Sequence, residues 1–209
     1  MIDNLQFIDV KNYEKFGRIP KIGTEIEKNI LKKLSKQKSV ADFITNNGKK
    51  IYYRTSGGRY FKIVTNYTTY STKENNICID KKLADVIGCL LSSNLSFWFY
   101  QIFSNNHDWK GCEINSFPIP IEKLTAKKIK QITDLYKIYL ADIEKNANIR
   151  TSSGKSTYSV SQFKEYKIVK SKKIIDEIDD LICPLYDLTK EETDFIKSYD
   201  LAFRMSGDS

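Results

Sequence analysis

The chain is predicted to be an α+β protein, and three observations lead there. Residues 83–103 place Leu83, Val86, Ile87, Leu90, Leu91, Leu95, Trp98, Phe99, Ile102 and Phe103 at helical spacing. Residues 50–64 alternate with period two around Gly57-Gly58, the pattern of a hairpin. Residues 125–146 and 172–183 return to three-four spacing. The expected architecture is a small β-rich subdomain packed on a long central helix, with a C-terminal helical pair. At 209 residues and 41% hydrophobic content, the chain suits one large or two small domains with a real core.

In order, residues 1–22 show little periodicity, with a short strand expected at Gln6–Val10. Thr24 and Glu27 form a capping box that opens a helix carrying Ile26, Ile30, Leu31 and Leu34, ending near Ser35. A turn at Val40–Thr45 closes at Asn46-Asn47-Gly48. In the hairpin, Lys50, Tyr52 and Arg54 alternate with Ile51 and Tyr53. After the glycines, Tyr60, Lys62 and Val64 alternate with Phe61 and Ile63, which predicts one apolar face and one basic-aromatic face. A polar, tyrosine-rich loop follows at 66–73, then a strand at Asn76–Ile79 and the central helix.

Residues 104–111 read as loop. Phe117-Pro118-Ile119-Pro120 must be extended, because each proline restricts the residue before it. Thr125 opens a helix to about Asn146, and residues 147–158 form a Ser/Gly/Thr-rich loop. Further strands are expected from 106–120 and 157–168. Ser171 caps a helix that Pro184 should end. Thr189 and Glu192 make a second capping box before a last helix through Phe195, Ile196 and Tyr199. The expected division is a lead-in at 1–48, an α+β domain at 49–170 and a helical segment at 171–209 packing on it.

The formal net charge of +8 favours an acidic partner, nucleic acid first. Residues 49–73 hold six Lys/Arg and no acid, whereas residues 174–209 hold three against ten acids. The cysteines at 78, 89, 112 and 183 include no CxxC pair, and His107 is the only histidine, which argues against zinc. They read as reduced thiols of a cytoplasmic protein, with Cys89 in the core. Asp85, Ser92, Ser93, Asn94 and Gln101 interrupt the long apolar run, so no membrane span is expected. The first sixteen residues carry acids and no apolar signal-peptide core.

Three blocks carry a resemblance: KKIYYRTSGGRYFKI, LLSSNLSFWFYQIFSNNHDWKGCEINSFPIP and SKKIIDEIDDLICPLYDLTKEETDFIKSYDLAFRM. In this order, over residues 35–207, they resemble the C-terminal target-recognition domain of N6-adenine DNA methyltransferases. The likeness is closest to the fused Type II restriction-modification enzymes of bacterial defence. The resemblance implies a recognition domain that reads base edges of double-stranded DNA in the major groove. It also implies a separate methyltransferase or endonuclease domain or subunit that flips and methylates adenine. S-adenosylmethionine and Mg are then expected only on that catalytic partner. This chain has no Pro-Pro pair for the adenine-holding motif, and its one Gly pair is the hairpin turn, so no catalytic residue and no metal ligand is assigned. Whether it is a separate subunit or part of a larger enzyme stays open.

Candidate DNA contacts follow from residue chemistry. Arg54 and Arg59 flank the turn as forked donors for a groove edge. Lys50, Lys62 and Lys73 are expected at phosphates. Tyr52, Tyr60, Tyr67 and Tyr70 offer hydrogen bonds or ring packing. In the loop 105–110, Asn106 and Lys110 are base or phosphate candidates, while Trp109 should fold back on the core. Two rivals remain. One is a metal-dependent nuclease using Glu165 and Lys167 with Asp142 upstream. The other is a protein-docking scaffold whose helical pair meets a methyltransferase. The acids Asp176, Glu177, Asp179 and Asp180 read as a solvated helix face.

Overall fold

Two adjacent serines decide the centre of the molecule. In the computed structural model, which describes residues 8–56, 62–105, 107–151 and 162–201, the apolar run forms two helices rather than one. These are α2 (Ala84–Leu91) and α3 (Asn94–Phe103), bent by 67°. Ser92 Oγ donates to the Gly88 carbonyl and Ser93 Oγ to that of Leu90, hydroxyls competing for helical acceptors. Ser93 then turns extended and accepts the Ser96 N–H at 3.0 Å as the N-cap of α3. The single long helix expected from spacing is corrected here, because apolar periodicity does not register a hydroxyl that redirects the backbone.

The lead-in is ordered around α1 (Glu25–Leu34), opened by the Thr24–Glu27 capping box. Residues Ile8–Val10 are not a strand, and a short 3-10 turn at Lys11–Tyr13 follows. The strand β1 (Lys38–Ser39) pairs antiparallel with β5 (Pro118–Ile119), so the Phe-Pro-Ile-Pro segment is extended as its prolines demand. A 3-10 turn at Val40–Phe43 leads into β2 (Ile44–Arg54), which starts earlier than the expected hairpin strand.

The strand β2 is central to a three-stranded antiparallel sheet in the order β3-β2-β4, with β3 at Val64–Thr65 and β4 at Glu74–Ile79. Among the described residues, the expected hairpin partner, β3, pairs at Tyr52 with Thr65 and Tyr53 with Val64, and the Arg54 N–H donates to the Ile63 carbonyl at 3.2 Å. The main partner is β4, from Arg54 with Glu74 to Lys49 with Ile79. A bulge between Ile44 and Lys49 brings Gly48 against β4, where a Cβ would lie 2.0 Å from the Ile79 carbonyl oxygen. Ile51 and Tyr53 are buried while Lys50, Tyr52 and Arg54 face outward, so the predicted alternation holds on this strand. It fails on the return segment, where Lys62, Ile63, Val64 and Thr65 are all buried.

The short helix α4 (Gly111–Asn115) follows the loop after α3. Helix α5 (Ala126–Lys145) runs from the Thr125 cap to Asn146 and buries Ile132, Tyr136, Tyr139, Leu140 and Ile143. It packs closely on α2 at Gly88, where a Cβ would stand 2.7 Å from the Tyr136 hydroxyl. A separate antiparallel ribbon, β6 (Asn148–Thr151) with β7 (Gln162–Glu165), occupies part of the expected loop. Helix α6 (Lys172–Ile182) pairs with α5 as expected, and a 3-10 turn at Cys183–Tyr186 contains Pro184. Ser171 precedes α6 but makes no side-chain cap bond. Helix α7 (Lys190–Ser198) opens at the Thr189–Glu192 capping box.

The chain is thus α+β. One core draws on α1, the sheet, α2, α3, α5, α6 and α7, with Trp98, Tyr136, Tyr139 and Tyr186 fully buried. Cys89 belongs to it. Among the described residues, no single helix is long and apolar enough to cross a membrane.

Of the acidic face expected on α6, Glu177 and Asp180 are exposed as expected, but Asp176 is half-buried and Asp179 is not on it. Asp179 is fully buried and takes the N–H groups of Asn94 and Leu95, capping α3 from across the core. Asp176 accepts from Asn94 Nδ2 and from Lys172. Asp180 pairs with Lys197 at 2.8 Å.

Candidate nucleic-acid interface

The outer side of the sheet opens into a cleft of about 550 Å³ with three walls. The first is the outward face of β2, with Tyr52 and Arg54. The second is the loop 66–73, with Tyr70 and Lys73. The third is the ribbon, with Lys164 to Tyr166. Ile63 and Thr65, both buried, lie at its base. A second groove of about 360 Å³ adjoins it, lined by Ser56, Lys73, Asp108 and Lys110. Lys73 borders both. The second groove forms because Trp109 N–H donates to the Thr55 carbonyl at 2.7 Å, tying the loop after α3 to the end of β2. Trp109 itself is buried, edge-on to Tyr53 and Tyr100, as its apolar ring requires.

The 66–73 loop has its own internal support. Both oxygens of Glu74 are used: Thr68 Oγ1 donates to one at 2.6 Å, and the Thr69 N–H donates to the other at 2.7 Å. Tyr70 N–H then donates to Thr68 Oγ1 at 3.1 Å. Tyr70 is thereby held at φ +58°, a left-handed conformation rare for a bulky residue, with its ring 89% exposed.

Glu144, at the end of α5, holds the loop and ribbon walls together. Its Oε1 accepts from Tyr67 Oη at 2.7 Å and from Tyr166 Oη at 2.6 Å, and its Oε2 accepts from Lys164 at 2.5 Å. Burial pushes the Glu144 carboxyl up, but these donors outweigh it and hold the group below its ordinary value. Burial and the Glu144 bond raise both tyrosine hydroxyls. Tyr67 was expected to face DNA. It is instead a tie from loop to helix, because a half-buried hydroxyl takes the strongest acceptor in reach.

Lys62 is the other displaced candidate. It is 7% exposed, and its ammonium sits 4.5 Å from the centroid of the Tyr100 ring rather than on the outer face. Burial lowers its pKa to about 8, partly offset by Glu113 and Asp108. It is not available to a phosphate. Lys50, Lys73 and Lys110 make no ion pair among the described residues. Arg54 donates from Nε to the Ser56 carbonyl at 2.8 Å, which aims its fork along the end of β2. Arg59, Tyr60 and Asn106, like the Gly57-Gly58 turn, lie outside the described residues.

Tyr52, Arg54, Tyr70 and Lys73 therefore line one cleft, and Lys50 continues the same face of β2, whereas Lys110 lies in the second groove with Tyr53, Thr55 and Asn75 of the opposite face, joined to the first at Lys73. Sequence reasoning missed Glu74, Glu144, Lys164 and Tyr166. Only the three-four spacing of α5 hinted at where Glu144 would point. Of the nuclease candidates, Glu165 lies 3.9 Å from the Lys167 ammonium. Glu165 pairs with Arg150 at 2.8 Å, and Asp142 is bonded to Asn146 on its own helix. Among the described residues, no three His, Cys, Asp or Glu side chains gather into a metal-holding set. No protein-family model, curated protein or solved structure matches this chain.

Proposed function

We propose that this chain is the sequence-specific DNA recognition module of a Type II restriction-modification or N6-adenine methyltransferase system. The observation that supports it best is the gathering of Arg54 and Lys73 with Tyr52 and Tyr70 at one cleft, with Lys110 in the groove that adjoins it at Lys73. Lysines without an ion pair among the described residues suit phosphates, whose contribution is sequence-blind and salt-dependent. A forked guanidinium and planar rings suit bases and sugars. The resemblance in three ordered blocks points the same way.

On this reading the chain is cytoplasmic and docks a methyltransferase or endonuclease domain or subunit. That partner holds S-adenosylmethionine and Mg and performs the chemistry. The test is selection from a pool of random duplexes at moderate salt, with affinity followed against salt. Enrichment of a short motif is expected. Salt-sensitive binding without enrichment would reduce the module to phosphate contacts. Absence of binding would sink the proposal and leave the protein-docking scaffold.

A further inference from the structure

From the shape of the cleft we infer that it receives a single unpaired nucleotide, stacked on Tyr70, rather than a paired groove edge. The inference rests on the nucleic-acid reading above and deepens it.

The argument begins with concavity. Base edges of a duplex lie at the bottom of grooves, about 8.5 Å down on the major-groove side, and a protein reaches them with something that protrudes. A cleft walled on three sides does the opposite: it accepts what protrudes from the ligand. Its volume of about 550 Å³ lies within the range of pockets that hold one small-molecule-sized group. Tyr52, Tyr70 and Tyr166 supply aromatic surface, and Ile63 an apolar one, the surroundings that an unstacked base seeks. Lys73 stands at the same cleft to take the phosphate.

Tyr70 carries the second half of the argument. An 89% exposed ring gains nothing from folding, yet its backbone occupies a strained left-handed conformation. Three hydrogen bonds to Glu74, two from Thr69 and one from Thr68, hold the loop in that shape. Glu74 therefore acts as a positioning residue that presents the Tyr70 ring at the cleft edge. Base–aromatic stacking is sequence-tolerant, so this site would add grip without reading sequence.

The test uses the full chain with three fluorescent probes: a random single strand, a fully paired duplex, and the same duplex with one unpaired 2-aminopurine. Tyr70→Ala should weaken single-strand and bulged-duplex binding about tenfold or more, the effect of one lost base stack. It should leave the paired duplex within about twofold. Tyr70→Phe should retain binding, which separates stacking from hydroxyl contact. Glu74→Gln should give an intermediate loss with unchanged thermal unfolding. Quenching of the 2-aminopurine signal on binding is expected in wild type and absent in Tyr70→Ala. Preference for the bulged duplex over the single strand would assign the nucleotide to an extruded position, and the reverse order to a free strand. Duplex binding with no effect of Tyr70→Ala on any probe would overturn this inference while leaving DNA recognition standing. No binding to any probe would overturn both.

Discussion

Asp179 on α6 caps α3 through Leu95, whose backbone N–H donates to one carboxylate oxygen at 3.0 Å, while the other oxygen takes the Asn94 N–H at the same distance. A helix leaves its first N–H groups unsatisfied, and these are buried, so the partner must come from elsewhere in the fold. The bend at Ser92-Ser93 is what exposes them. Burial raises the Asp179 carboxyl to about 6, against the pull of its hydrogen bonds from Leu95 and Asn94.

A pH dependence follows from that shift. A carboxyl raised from 3.8 to about 6 in the folded state favours its neutral form there. Its contribution to stability is full below the unfolded value and is lost as pH rises through about 6. The span is about 3 kcal/mol at most. Denaturant midpoints of wild type and Asp179→Asn should converge or diverge across pH 4–7 accordingly, the wild type losing ground as pH rises. Asp179→Ala, which leaves two buried N–H groups bare, should cost about 2–4 kcal/mol near pH 4 and less as pH rises toward 7. A pH-independent difference between wild type and Asp179→Asn would refute the assignment.

Glycine 88 permits the contact between α2 and α5. Gly88→Ala puts a methyl 2.7 Å from the Tyr136 hydroxyl, inside a packed core. Thermal unfolding should show a loss of about 2 kcal/mol. Tyr136→Phe in the same background should recover part of it, because the nearest of the three clashing atoms is removed while the ring carbons at 2.8 and 2.9 Å remain.

Glu144 ties the loop and ribbon walls of the cleft together, and its carboxylate is held below its ordinary value of 4.5. Its contribution is therefore present above pH 4.5 and lost as pH falls below it. Glu144→Gln should lower stability by only about 1 kcal/mol, since Lys164 is solvent-screened. Hydrogen exchange is the sharper readout. Residues 66–73 and 162–166 should exchange faster together, and independent behaviour of loop and ribbon would count against a shared tie.

The lysines separate by burial. Lys73→Ala and Lys110→Ala should each weaken binding to all duplexes and flatten the salt dependence by about one unit of slope. Lys62→Met should leave that slope unchanged. It should also raise stability near pH 7 by about 1 kcal/mol, because a charged ammonium is no longer held out of water. A salt-slope change in Lys62→Met would return this residue to the interface.

How much of this was legible in the chain depends on the range of each cause. Local chemistry was read correctly: the capping boxes at Thr24 and Thr189, the Thr125 start of α5, the extended Phe-Pro-Ile-Pro segment, and the outward Lys50, Tyr52 and Arg54. Each is set by neighbours within a few residues, through propensity, capping or the two-residue pleat. The tertiary structure alone decided the rest. The N–H groups freed by the bend at Ser92-Ser93 are capped by Asp179, more than eighty positions away. Lys62 turned inward because Tyr100 offered a ring, and Tyr67 turned to Glu144 because α5 ended there. The cleft exists only where sheet, loop and ribbon meet. A sequence displays its own periodicities, but a polar side chain's direction is settled by whichever partner the fold delivers, and that partner is rarely nearby in the chain.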